Sequence, residues 1–377
     1  MTTYAGSGVL DSVGNTIAGE FLADHQLLVS QAGDLSATRR LVSAAPIVSG
    51  TTYLTFDSYR PEMSTRSGVR MMFVGASEFT IGQTATGQTE YQLHDGCLVM
   101  RAEAEQPSMI ALKIGDRQID VYLGDRRSIF TAQITPCSPV TPNTGERVIQ
   151  FHCGGIAQWQ DRGNPVTIHQ ANLTVPFIRA YTAIGTGPAD VTAEETLPRW
   201  VDGDLQNAAV DQETARNLTE SLAGDRDLRN GFRKAFESHR LLKVRVLAAQ
   251  CLLQLGDSGA ILDTLNNEEY RSTWELSIQA IGRYVLRGTD ESQQVSQALQ
   301  TRVGDNAELY LSMLGFLKDE ELHGETGSAM IHGLESTVML ERVISFQRLK
   351  IITGKTHMYE PERSPQRQIV SIRRWQQ

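Results

Sequence analysis

Gly354-Lys355-Thr356, within RLKIITGKTHMYE, has the ending of a phosphate-binding loop. Such a loop needs Gly-x-x-x-x-Gly-Lys-Ser/Thr, so that several backbone N–H groups turn inward around the phosphates. Leu349 stands where the first glycine is required, and the apolar spacing before it is helical where the motif needs a strand. Gly354 is therefore expected to be the left-handed residue that ends a helix. Eight histidines (His25, His94, His152, His169, His239, His323, His332, His357) include no His-x-His and no His-Glu-x-x-His, so neither a metal nor another cofactor is expected. Cys97, Cys137, Cys153 and Cys251 form no Cys-x-x-Cys. Thiols are expected at all four, with a Cys97–Cys153 or Cys137–Cys153 bridge as the alternative.

A Cys/His nucleophile would have to combine different strands. Adjacent strand residues such as His152 and Cys153 point to opposite faces, and His94-Asp95 with Gly96 reads as a turn. A hydrolase with a Cys/His site, gathering at least two of His94, His152, His169, Cys97 and Cys153 in one pocket, is kept as an alternative. No Gly-x-Ser-x-Gly elbow occurs, and the chain is expected not to be an enzyme.

The second kind of signal is charge. From Arg342 to the end there are eight basic and two acidic side chains, although the whole chain carries −9. An acidic chain has no general attraction for phosphate backbones, so nucleic acid is not an expected partner. The basic tail is expected to meet either solvent or an acidic protein, and Arg363, Arg367, Arg373 and Arg374 are the candidate partner-binding residues. Tyr359, Pro361, Pro365 and Trp375 read as a clip that packs back over the last helix pair and caps it.

The elements that must position these residues differ between the two halves. In the first, apolar residues alternate: Phe79 with Ile81, then Ile119, Val121 and Leu123, one row on one sheet face. Turn signals lie at Gly82 to Gly87, Asp95-Gly96, Gly115-Asp116 and Gly154-Gly155. This pattern predicts an antiparallel β-sandwich or jelly-roll-like module over residues 1–190. GTGPADVTAEETLP has no periodic face and predicts a linker, 191–199.

From residue 200 to 377 the period is helical. Val244, Leu247, Ala248, Cys251, Leu252 and Leu255 make one stripe ending at Gly256. Trp274, Ile278, Ile281 and Val285 make a second before Gly288. Tyr310, Met313, Leu314 and Leu317 make a third, and Leu340, Val343, Ile344 and Ile352 a fourth before Gly354. An internal echo joins two of them: Arg245-Val246-Leu247 with Gln250, Leu252 and Leu255 matches Arg342-Val343-Ile344 with Gln347, Leu349 and Ile352. Stacked HEAT- or armadillo-like repeats are expected, with an irregular bundle as the alternative. Hydrophobic content of 40% and charged content of 21% suit a globular chain. No window reaches the apolar length of a membrane span, and the N-terminus lacks signal-peptide features.

SGVRMMFVGASEFTIGQTATGQTEYQLHDGCLVMRAEAEQP resembles FecR-like domains, the envelope-side part of iron-citrate-type anti-sigma regulators, at Gly75, Phe79, Ile81, Leu93, Gly96, Leu98 and Val99. The tail is similar to the closing segment of HEAT-like helical domains in Planctomycetes-type envelope regulators, at Leu349, Ile352, Thr353, Gly354, Tyr359, Pro361, Arg367 and Trp375. The resemblance implies a non-catalytic signalling protein with a β sensor module and a helical protein-binding module. It also implies a membrane segment and a sigma-binding region ahead of the sensor, so the chain is expected to be a fragment of such a parent or a soluble relative. The fragment would face the periplasm or envelope; the soluble relative would be cytoplasmic. The other class is a carbohydrate- or envelope-binding structural protein, with Tyr53, Tyr59, Tyr91 and Trp159 as candidate glycan platforms.

Overall fold

The computed structural model describes residues 16–22, 25–31, 38–84, 86–136, 147–162, 168–170, 178–184, 190–194, 196–202, 205–223, 227–315 and 325–376. Cys137, Leu317 and His323 lie outside the described residues, as do 185–189 ahead of the expected linker. The chain forms two compact units, the first running to Leu228 except for a segment from Pro136 that groups with the second, and the second consisting mainly of Arg229–Gln377.

The first unit is β-rich. Its strands are β1 (Ile17–Phe21), β2 (Val29–Gln31), β3 (Thr38–Arg40), β4 (Pro46–Val48), β5 (Thr52–Leu54), β6 (Glu62–Thr65), β7 (Val69–Gln83) and β8 (Thr89–Ala102), followed by β9 (Ser108–Ile114), β10 (Arg117–Leu123), β11 (Ile129–Pro136), β12 (Arg147–Gly154), β13 (Ala157–Asp161), β14 (Ile168–Gln170), β15 (Ile178–Ile184) and β16 (Asp190–Glu194). They join in one hydrogen-bonded sheet. Alternation sets which side chains face inward. In β10, Ile119, Val121 and Leu123 are fully buried while Gln118 is exposed. The core collects rings, with Phe73 stacked on Phe79 at 3.8 Å and Phe151 against Trp159 at 5.0 Å.

Two features depart from the sequence expectation. Asp95-Gly96 is no turn, because β8 runs through it without a break. Gly96 (φ +97°) lies opposite a bulge in β7 at Gly75–Ser77, and Ser77 Oγ accepts from Cys97 N at 3.1 Å. A glycine is needed there for close approach: a Cβ on Gly96 would sit 2.1 Å from Ser77 Oγ. The long pair also changes partners across this point. Arg70–Met72 pair with β6 and Glu78–Thr80 with β5; Glu90–Leu93 lie beside β9 and Gly96–Arg101 beside β11.

The second departure is β8–β9, which pair in parallel, whereas all other pairs of described register are antiparallel. A parallel pair normally needs a long crossover. Here a short link suffices, because β9 returns to the first half of β8 and leaves the second half to β11.

Part of the segment read as linker is structured. β16 pairs with β15, and Leu197 and Trp200 pack with Val99, Ile129 and Val201. Two helices, α1 (Arg199–Asp202) and α2 (Leu205–Ser221), belong to this unit. α2 is held by Tyr59, whose hydroxyl donates to Ala215 O at 3.0 Å and bonds Thr219 Oγ1 at 3.1 Å.

The second unit is helical: α3 (Leu228–Ser238), α4 (Leu242–Gln254), α5 (Gly259–Leu265), α6 (Trp274–Val285), α7 (Thr289–Val303), α8 (Ala307–Leu314), α9 (Glu325–Gly333), α10 (Met339–Thr353) and α11 (Ile369–Trp375), with a 3₁₀ turn at Glu268–Thr273 before α6. The described residues of the four apolar stripes face its interior, Val285 and Ile352 being only half-buried. α10 is more than a striped helix. Leu340 to Leu349 are buried without interruption, Arg342, Gln347 and Arg348 included, since α5, α6, α8 and α9 all pack on it. No helix among the described residues is long and apolar enough to cross a membrane.

Candidate functional site

The C-terminal segment closes back on α10, and the local chemistry explains how. Gly354 ends the helix in the left-handed conformation (φ +67°), its N–H bonded to Lys350 O at 2.9 Å. The phosphate-loop ending is thus a helix C-cap. His357 and Met358 both take positive φ, +46° and +58°, which turns the chain sharply. Tyr359 is thereby brought onto Phe346 with ring centres 5.6 Å apart, and its hydroxyl donates to Leu334 O at 2.6 Å. Burial pushes that phenol's pKa up.

Arg342 then clamps the clip. Its Nε donates to Pro361 O at 2.7 Å, and its Nη1 donates to Ser336 O and Thr337 O at 2.8 and 2.9 Å. Gln368 closes the loop, accepting from Glu360 N at 2.6 Å and donating to Glu360 O and Arg363 O. Ile372 and Trp375 of α11 are buried, with the His357 ring edge-on to Trp375 at 4.5 Å. Arg342→Met removes three charge-assisted bonds and leaves three carbonyls unmatched, a cost of about 3 kcal/mol. Hydrogen exchange over residues 357–376 should quicken sharply while α4 stays protected; unchanged exchange would show that Arg342 does not hold the clip.

Behind the clip lies a cavity of about 590 Å³. It is lined by Arg271 and Trp274, by Phe346, Gln347 and Lys350 of α10, and by Thr356, Met358, Tyr359, Glu360, Pro361 and Arg363 of the clip. Its charges are arranged in pairs. Arg363 Nε meets Glu360 at 2.5 Å, Arg271 meets Glu362 and, at 3.6 Å, Glu360, and Lys350 meets Glu275 at 3.0 Å. Gln347 is only 5% exposed, and its Oε1 has no hydrogen-bond partner among the described residues. A buried acceptor left unmatched costs about 1–3 kcal/mol.

The candidate arginines separate. All four are exposed, but Arg363 is ion-paired on the clip, while Arg367, Arg373 and Arg374 lie on and beside α11. Next to them Val370 is 67% and Ile369 48% exposed. The basic excess of the tail is only partly a surface, since Arg342 and Arg348 are buried and Lys350 and Arg363 are paired.

The remaining described candidates each have partners of their own. His94 bonds Thr80 and is held to a lowered pKa chiefly by burial, and His152 bonds Thr131 at 3.2 Å. Cys97 lies opposite Val74 and Gln133, and Cys97, Cys153 and Cys251 are thiols. The side chain of His169 is outside the described residues. Among the described residues no three His, Cys, Asp or Glu side chains gather as metal ligands. Tyr53, Tyr59, Tyr91 and Trp159 are core residues, at most 5% exposed, and offer no ring to a sugar.

Sequence reasoning missed Gln347 and the cavity. The echo between α4 and α10 was the available signal, since Arg245 and Arg342 both turn out to bind backbone carbonyls, Arg245 Nε donating to Phe236 O at 2.8 Å. Comparison with protein-family models, curated proteins and solved structures finds no match to this chain.

Proposed function

We propose that the chain is a non-catalytic interaction protein whose helical unit docks an acidic protein partner on the C-terminal clip. The observation that carries it is the outer face of α11. Ile372 and Trp375 anchor the helix inward, while Arg373, Arg374 and Val370 face solvent with Arg367 beside them. Cations flanking exposed apolar side chains suit a partner with carboxylates around an apolar anchor.

In this proposal the helical unit is a HEAT- or armadillo-like stack, supported by the matched arginines of α4 and α10. The β unit is a FecR-like sandwich that senses an envelope signal, supported by the pairing of Phe79 with Leu93, and of Phe73 and Met72 with Leu98 and Val99, along β7 and β8.

The test is a fluorescent glutamate-rich peptide with one leucine, titrated into the full chain. Replacing Arg363, Arg367, Arg373 and Arg374 by Ser should weaken binding roughly tenfold with an unchanged melting temperature. Added salt should weaken the parent by screening. Equal affinity of parent and variant would leave the tail as solvated surface.

A further inference from the structure

We propose that the clip is an exchangeable strap: it swings out about His357–Met358 and docks on α10 of a second copy of this chain, which returns its own clip. The proposal is separate from the docking of an acidic partner, because it does not use the outer face of α11.

Three observations carry it. The first is the hinge. Tyr359 N donates to Thr356 O at 2.9 Å, closing a tight turn whose central residues, His357 and Met358, lie at φ +46° and +58°. Turns with both central residues left-handed favour glycine and asparagine. Two residues with larger side chains hold strain there, and an extended hinge releases it. Met358 gains no packing in return, its side chain being 81% exposed.

The second is what the docked clip leaves unmatched. Glu362 Oε2 and Trp375 Nε1 of the clip and Gln347 Oε1 of α10 are buried with no hydrogen-bond partner among the described residues. Opening hydrates them, which lowers the cost of letting go.

The third is the occupant. The surface of α10 and its neighbours fits the clip itself: Phe346 takes the Tyr359 ring, Leu334 O takes its hydroxyl, and Arg342 Nε takes Pro361 O. An open clip with nothing in its place bares Phe346, Tyr359, Ile372 and Trp375, all buried when it is docked. A second copy supplies the same ring and the same carbonyl. Exchange between identical chains keeps the docking contacts and gives up the strained turn, the condition under which swapped dimers form.

Analytical ultracentrifugation of the full chain, equilibrated in denaturant too dilute to melt α4, tests this. The parent should show a monomer–dimer equilibrium. Met358→Gly relaxes the turn and removes only an exposed side chain, so the closed monomer gains. The dimer dissociation constant should rise about fivefold for each chain, about twenty-fivefold in all. Met358→Pro acts the other way, because proline cannot take positive φ and biases the residue before it toward extended backbone. That variant should be dimeric at concentrations where the parent is monomeric, with residues 357–376 still slow in hydrogen exchange. Adding Arg342→Met to it should return monomers with a fast-exchanging clip, since the same clamp holds a clip from either chain.

A Met358→Gly variant with the parent's dissociation constant overturns the proposal, as does a Met358→Pro variant that stays monomeric. A Met358→Pro dimer that survives Arg342→Met is built from another surface and overturns it too. Should Met358→Pro fail to fold, the parent and Met358→Gly decide, and a parent that is monomeric at every concentration then overturns the proposal.

Discussion

Leu252→Asp is expected to unfold the helical unit. Leu252 is fully buried in α4, a helix in which Val246 to Ala249 and Cys251 to Leu253 are all buried. An aspartate there loses the apolar contacts and leaves a carboxylate without water or a cation. The first loss alone costs about 2–5 kcal/mol, as for Leu→Ala in a core. Burying the unpaired charge adds several kcal/mol more, or forces proton uptake. The sum equals a large share of the roughly 5–15 kcal/mol that holds an ordinary domain. Helical circular dichroism should fall and amide exchange over residues 229–376 should lose its slow class. A variant that melts with the parent would show that α4 is not packed as described.

Gly96→Ala is expected to have the second-largest effect, in the β unit. The backbone at Gly96 has φ +97°, which costs a side-chain-bearing residue about 1–2 kcal/mol. The added Cβ would also lie 2.1 Å from Ser77 Oγ and 2.6 Å from Ser77 Cα. A rotamer change relieves the first clash but not the second, so the bulge itself must shift, at about 1–3 kcal/mol. The shift falls where β7 and β8 exchange partners, so four neighbouring strands are affected. Gly87→Ala is the control: φ is +79° and nothing lies within 4 Å of its Cβ, so only the backbone cost, about 1 kcal/mol, remains. Chemical denaturation should order parent, Gly87→Ala and Gly96→Ala in falling stability. Equal losses for the two alanines would mean that the approach of Ser77 carries no weight.

Much of the fold was legible because its signals are short-range. Ile119, Val121 and Leu123 lie on one face by alternation alone, and Val244, Leu247, Cys251 and Leu252 by helical spacing. Gly354 could be read as a helix end because Leu349 breaks the phosphate motif and the preceding pattern is helical. Asp95-Gly96 was misread for an equally physical reason. In a hairpin loop and in a strand facing a bulge, glycine serves the same need for positive φ, and only the strand opposite tells them apart.

The candidate site was half legible. A run of arginines near the C-terminus can be counted, but what each meets depends on residues far along the chain. Lys350 meets Glu275, and Arg271 meets Glu362. Arg342 and Arg348 have the composition of a surface and the position of a core, because α10 has neighbours on every side.

By itself, then, the order of residues determined the switch from alternating to helical burial and the glycine stops, which are set by neighbours within a few positions. Only the tertiary structure decided the partner exchange at Gly96, which cations stay exposed, and the buried acceptor of Gln347. Those depend on desolvation and on contacts between segments dozens of residues apart, and no local pattern encodes which groups lose water together.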